Sequence, residues 1–69
     1  MRYLTYRSYK TTMRWDEDDK IYYGKVEDID DLVSFHSEHV ETFEKEFHKA
    51  VDDYFIFCEE VGKTPNIPK

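Results

Sequence analysis

The sequence predicts an α+β fold, a three-stranded antiparallel meander followed by one long helix packed on one face, in the order β-β-β-α. Three observations carry that expectation. Polar and apolar side chains alternate over residues 3–15, at the period of a strand. Two acidic breaks, Asp16-Glu17-Asp18-Asp19 and Glu27-Asp28-Ile29-Asp30-Asp31, set off two further strand-like runs. From Val40 to Val61 apolar residues then recur every three or four positions, the period of a helix.

Each element has its own grounds. In the first strand Tyr9, Thr11, Met13 and Trp15 share one face, and Lys10, Thr12 and Arg14 share the other. Leu4 and Tyr6 break this parity, which predicts a bulge or bend near Arg7-Ser8. The break at Asp16–Asp19 is short, so Ile21 to Val26 should return antiparallel as a hairpin. Leu32-Val33-Ser34-Phe35 is the third, short strand. Ser37 is placed to cap the helix, with Glu38 and Glu41 in the first turn, where acids complement the helix dipole. The helix buries Val40, Phe43, Phe47, Val51, Tyr54, Cys58 and Val61, and Ala50 beside them permits close approach to the sheet. Gly62 ends the helix, and Pro65 and Pro68 prevent its continuation. Residues 1–62 thus form one domain and residues 63–69 an extended tail.

A chain of 69 residues buries only about 60% of its unfolded surface and needs reinforcement. Its single cysteine cannot close an internal disulfide, and no Cys/His spacing suggests structural zinc. The six Tyr, five Phe and one Trp suit both a dense core and an interface, so a homo-oligomer or a protein partner is expected. The formal charge of -6 is uneven. Arg2, Arg7, Lys10 and Arg14 stand before any acid, and the acids follow in the breaks and the helix. An acidic surface disfavours nucleic acid and favours basic partners. The N-terminus lacks the apolar core of a signal peptide, no run reaches the ~18 residues of a membrane span, and a lone cysteine fits a reducing compartment. The expected location is the cytoplasm, with no membrane contact.

No catalytic or metal site is expected, and no cofactor. A calcium loop starting at Asp16 would need glycine where Ile21 stands, so a solvated acidic turn is the better reading. A magnesium nuclease needs carboxylates that converge, and the first strand has none. His36, His39 and His48 are read as surface or boundary residues, and Cys58 as a core residue of the helix stripe. Tyr3, Tyr6 and Tyr9 beside Arg7 and Lys10 allow stacking on single-stranded nucleic acid, but aromatics at strand spacing more often pack a sheet. Ile56 falls opposite the helix stripe among charged residues, with Phe55 and Phe57 at its margins. A helix apolar almost all round is buried on more than one face.

The ordered set Met13-Arg14-Trp15-Asp16, Ile21-Tyr22-Tyr23-Gly24-Lys25-Val26, Ile29-Asp30-Asp31-Leu32-Val33-Ser34-Phe35, Phe47-His48-Lys49-Ala50-Val51-Asp52-Asp53-Tyr54, Phe57-Cys58 and Gly62-Lys63-x-Pro65 resembles the N-terminal domain of HicB-type antitoxins, a partial RNase-H-like fold. The resemblance spans roughly residues 5–65. It implies a non-enzymatic binding module that neutralises a basic, RNA-cleaving HicA-type toxin by covering its RNA-binding and catalytic surface. Family members usually continue into another strand and a DNA-binding part. The present sequence shows neither after Lys69, so operator binding is not carried over and no direct nucleic-acid contact is expected. The expected partner-binding residues are Asp16, Glu17, Asp18, Asp19, Asp28, Asp30 and Asp31 in the turns, and Asp52, Asp53 and Ile56 on the outer helix side. The alternatives are a stand-alone HicB-like homo-oligomer or, further off, an RNA-binding nuclease remnant.

Overall fold

The computed structural model describes residues 3–68; the outermost ends of the domain and tail ranges above lie outside them. Five strands precede one helix: β1 (Tyr3–Tyr6), β2 (Tyr9–Thr12), β3 (Arg14–Asp16), β4 (Ile21–Lys25), β5 (Ser34–Ser37) and α1 (Val40–Val61). β1 and β2 form an antiparallel hairpin, and β3-β4-β5 form the expected antiparallel meander. The fold class is therefore the one the sequence predicts, with a hairpin added at its front.

That hairpin corrects the expectation of one long first strand. Tyr6 pairs with Tyr9 across Arg7-Ser8, and both turn residues have positive φ, 52° and 72°. A two-residue loop with both φ values positive has the twist that lets antiparallel strands pair directly. The parity slip thus marks a reversal of the chain, because residues facing each other across a hairpin lie on the same sheet face. Only Met13 separates β2 from β3. The Glu27 N–H donates to the Lys10 carbonyl at 2.9 Å, and the Thr11 hydroxyl to the Lys25 carbonyl at 2.7 Å. These bonds hold the hairpin against the end of β4.

The third strand and the helix cap also lie further along than expected. Val33 accepts from the Val26 N–H at 2.8 Å, but β5 proper starts at Ser34. His39, not Ser37, is the N-cap, and it makes no side-chain capping bond. Ser37 ends β5 instead, where its buried hydroxyl donates to the His39 carbonyl at 2.8 Å and accepts from the His39 N–H at 3.2 Å. Its polar group binds the strand end to the helix start, and only Glu41 remains in the first turn. At the other end Gly62 adopts φ 72° as expected, and the Gly62 and Lys63 N–H groups donate to the Glu59 and Cys58 carbonyls.

The core joins the helix stripe to the inner faces of the strands. Phe43, Phe47, Val51, Tyr54 and Cys58 are buried, with Tyr9, Thr11 and Val26. Val40 and Val61, the expected ends of the stripe, are 43% and 57% exposed. The Phe35 ring packs 5.1 Å from Phe43 and 5.6 Å from Phe47. Burying each such ring contributes about 2–3 kcal/mol. Gly24 sits where β2, β4 and the Phe43 ring meet: a Cβ there would stand 2.7 Å from Thr11 Oγ1 and 3.1 Å from the Thr12 carbonyl oxygen. Trp15, expected on the buried face, stays 45% exposed at the sheet margin against Tyr22. The other sheet face carries Arg14, Tyr23 and His36 in one cross-strand row, all exposed.

The segment after Gly62 has neither helix nor strand among the described residues, yet it is bound at Lys63 and Asn66. Asn66 Oδ1 accepts from the Asp30 N–H at 2.9 Å and the Asp31 N–H at 3.2 Å. The Asn66 N–H donates to the Tyr54 hydroxyl at 2.8 Å, and its carbonyl accepts from the Tyr9 hydroxyl. No helix among the described residues is long and apolar enough to cross a membrane.

Candidate functional site

The acids expected to meet a partner divide into several places. Asp16 closes the β3–β4 turn, its Oδ1 accepting from the Asp18 N–H at 2.9 Å and the Asp19 N–H at 3.2 Å. Glu17 accepts from the Trp15 indole N–H at 2.7 Å and pairs with Lys20 at 3.2 Å, and both donors hold its carboxyl below the usual range. Asp18 and Asp19 are exposed at the same turn. Asp28, at φ 65°, lies 3.5 Å from the Lys10 ammonium. Asp31 accepts from Lys63 and from the Tyr54 hydroxyl at 2.7 Å. Lys63 first and Tyr54 second lower its pKa, while burial and the Asp31 contact raise that of Tyr54. Asp52 accepts from the Tyr6 hydroxyl at 3.1 Å and from Arg7 at 3.0 Å, which joins the helix to the front hairpin. Charge clustered in sequence is thus largely engaged in folding the chain.

Asp31 and Asp53 do come together. They line a groove of about 690 Å³ between α1 and β5. Its apolar lining is Leu32, Val33, Phe35, Ala50 and Phe57, and Glu46 and Lys49 add charge. On the helix Glu46, Ala50, Asp53 and Phe57 follow one another at helical spacing along it. Ala50, expected to draw the helix onto the sheet, lines this hollow. Phe57 is 53% exposed and Ile56 57% exposed, in keeping with an apolar outer side to the helix. Phe55 instead turns to the hairpin, where its ring lies 5.5 Å from Tyr9 and 4.5 Å from the Arg7 guanidinium.

Among the described residues β5 is an edge of the meander and pairs with β4 alone. The Val26–Val33 hydrogen bond fixes the alternation: Phe35 and Ser37 address β4, while Ser34 and His36 turn N–H and C=O to the open side. That open edge and the groove adjoin each other. No sequence pattern announced them, because which strand ends a sheet is decided by pairing and not by composition.

The other candidates are placed as follows. His36 is exposed on β5, His39 caps the helix, and His48 stacks on Tyr6 with centroids 4.0 Å apart. Among the described residues no three His, Cys, Asp or Glu side chains group as a metal site. Cys58 is buried in the core. Tyr9 is buried and Tyr6 is bound to Asp52 and His48, while Tyr3 is exposed with the Lys10 ammonium 6.0 Å from its ring. No family model, curated protein or solved structure matches the chain.

Proposed function

We propose that this chain is a non-enzymatic protein-binding module of the HicB antitoxin kind, which neutralises a basic, HicA-type RNA-cleaving protein by covering its RNA-binding and catalytic surface. The observation that carries the reading is the groove between α1 and β5, with Asp31, Glu46 and Asp53 around an apolar lining. Carboxylates beside apolar surface compete with RNA phosphates for a basic protein and exclude water from the contact. The order of strands and helix and the charge of -6 agree with it. Long-range attraction between an acidic module and a basic ribonuclease speeds their encounter and weakens as salt rises.

The test is inhibition of the small basic protein encoded beside this chain. Equimolar chain should suppress its RNA cleavage, with an association rate that falls as salt is raised. An absent neighbour, or cleavage unaffected by an excess of chain, removes the reading. A second reading, direct RNA binding, is favoured by the exposed Arg14–Tyr23–His36 row, which places an aromatic between two cationic or ionisable neighbours. Binding of single-stranded RNA at low salt, lost on Tyr23→Ala, would support it, and no binding under those conditions would end it.

A further inference from the structure

We infer that the open edge of β5 accepts an extended basic segment of a partner as an added antiparallel strand, its Lys or Arg side chains entering the groove under α1. The inference rests on the protein-binding reading and names the surface that performs it. Three observations lead to it. First, Ser34 and His36 turn their backbone N–H and C=O to the unpaired side of the sheet. Such a row is a template for another strand, and main-chain bonds supply affinity without regard to sequence. Second, α1 overhangs this edge: Glu46, Ala50, Asp53 and Phe57 face a groove of about 690 Å³ where a further strand would be covered. Third, the charge selects the occupant. Asp31 is paired with Lys63, and Glu46 and Asp53 still outnumber Lys49 around the groove. A second copy paired edge to edge would bring these carboxylates toward their own duplicates, whereas Lys or Arg stems can lie on Phe57 and Val33 with their heads among the acids. Outward-facing positions of the added strand would take small β-formers such as Thr.

The experiment uses the whole chain and a synthetic octapeptide alternating Arg and Thr, with a Glu–Thr octapeptide as control. Amide hydrogen exchange is read residue by residue. In the free chain the Ser34 and His36 amides should exchange quickly and the Phe35 amide slowly. The Arg–Thr peptide should slow Ser34 and His36 by about tenfold or more, and the Glu–Thr peptide should not. Ser34→Pro removes an outward N–H that β4 does not use, so the sheet should persist while peptide binding weakens by about tenfold. Asp53→Asn with Glu46→Gln should weaken binding and leave the fold unchanged. Three outcomes overturn the inference: no protection by the Arg–Thr peptide, equal protection by the Glu–Thr peptide, or protection that rises with protein concentration alone. The last would mean that a second copy fills the edge. The wider reading fails separately. A Ser34→Pro chain that still inhibits the basic ribonuclease sinks the edge and keeps the inhibitor, while peptide binding without inhibition does the reverse.

Discussion

Gly24 shows how much one position can carry. A methyl group there meets the Thr12 carbonyl oxygen, which is backbone, and the Thr11 hydroxyl, which is held by Lys25. Neither can step aside without moving β2. Gly24→Ala should therefore cost about 2 kcal/mol and lower the thermal midpoint by roughly 8–16 °C, as circular dichroism would show. Asp31 sets a pH dependence. Its folded pKa lies below the unfolded value, so its contribution is present above about pH 4 and is lost as pH falls through the folded value. Asp31→Asn should be the less stable protein at neutral pH, and the gap should narrow on acidification. A gap constant from neutral pH to about pH 2 would contradict the assignment. The sequence shows Asp31 as one acid among four in its turn. What singles it out is the arrival of Tyr54 and Lys63 from far along the chain, and no local pattern encodes that.

Among the elements, the helix was the most legible and the first strand the least. A period of three to four sustained over many residues admits one reading, and α1 runs from Val40 to Val61 as that period requires. What the period did not show is that Val40 and Val61, at the ends of the stripe, stay exposed. Phe47→Ala should accordingly cost about 3–5 kcal/mol, enough to unfold a domain of this size, whereas Val61→Ala should shift stability by less than about 0.5 kcal/mol. Denaturant melts of the two variants make the comparison. The front hairpin was hidden because Arg-Ser is not a turn pair that announces positive φ. The slip in parity was the real signal. The open edge of β5 had no signal at all, since Ser-Phe-His-Ser reads alike on a central or a terminal strand. Of the candidate residues, Ile56 was readable from the helical wheel, and Asp53 joined the groove only through the position of β5.

At the scale of the molecule, the accessible surface is 5172 Å², against about 4,700 Å² for a compact chain of 8.5 kDa. The excess accompanies an elongated body of 37 × 22 × 19 Å and exposed Leu32, Ile56, Phe57 and Val61. We propose that the expected homo-oligomer forms through the outer helix side around Ile56. Sedimentation at micromolar concentration should show a species heavier than the monomer, and Ile56→Asp should return it to monomer. A monomer for the parent chain at all such concentrations would refute the expectation. The bonds around Asn66 add a matter of timing. They join Tyr9, Asp30, Asp31 and Tyr54 to a residue placed after all of them, across as many as 57 positions. Bonds of such long sequence separation carry the largest loop-closure cost, so they should form after the local strand pairs and helix turns. On that basis the clasp should act as a latch and not as a nucleus. Asn66→Ala, which removes the two Oδ1 bonds to Asp30 and Asp31, should leave the folding rate nearly unchanged and accelerate unfolding, so that the lifetime of the native chain rests in part on a single amide oxygen.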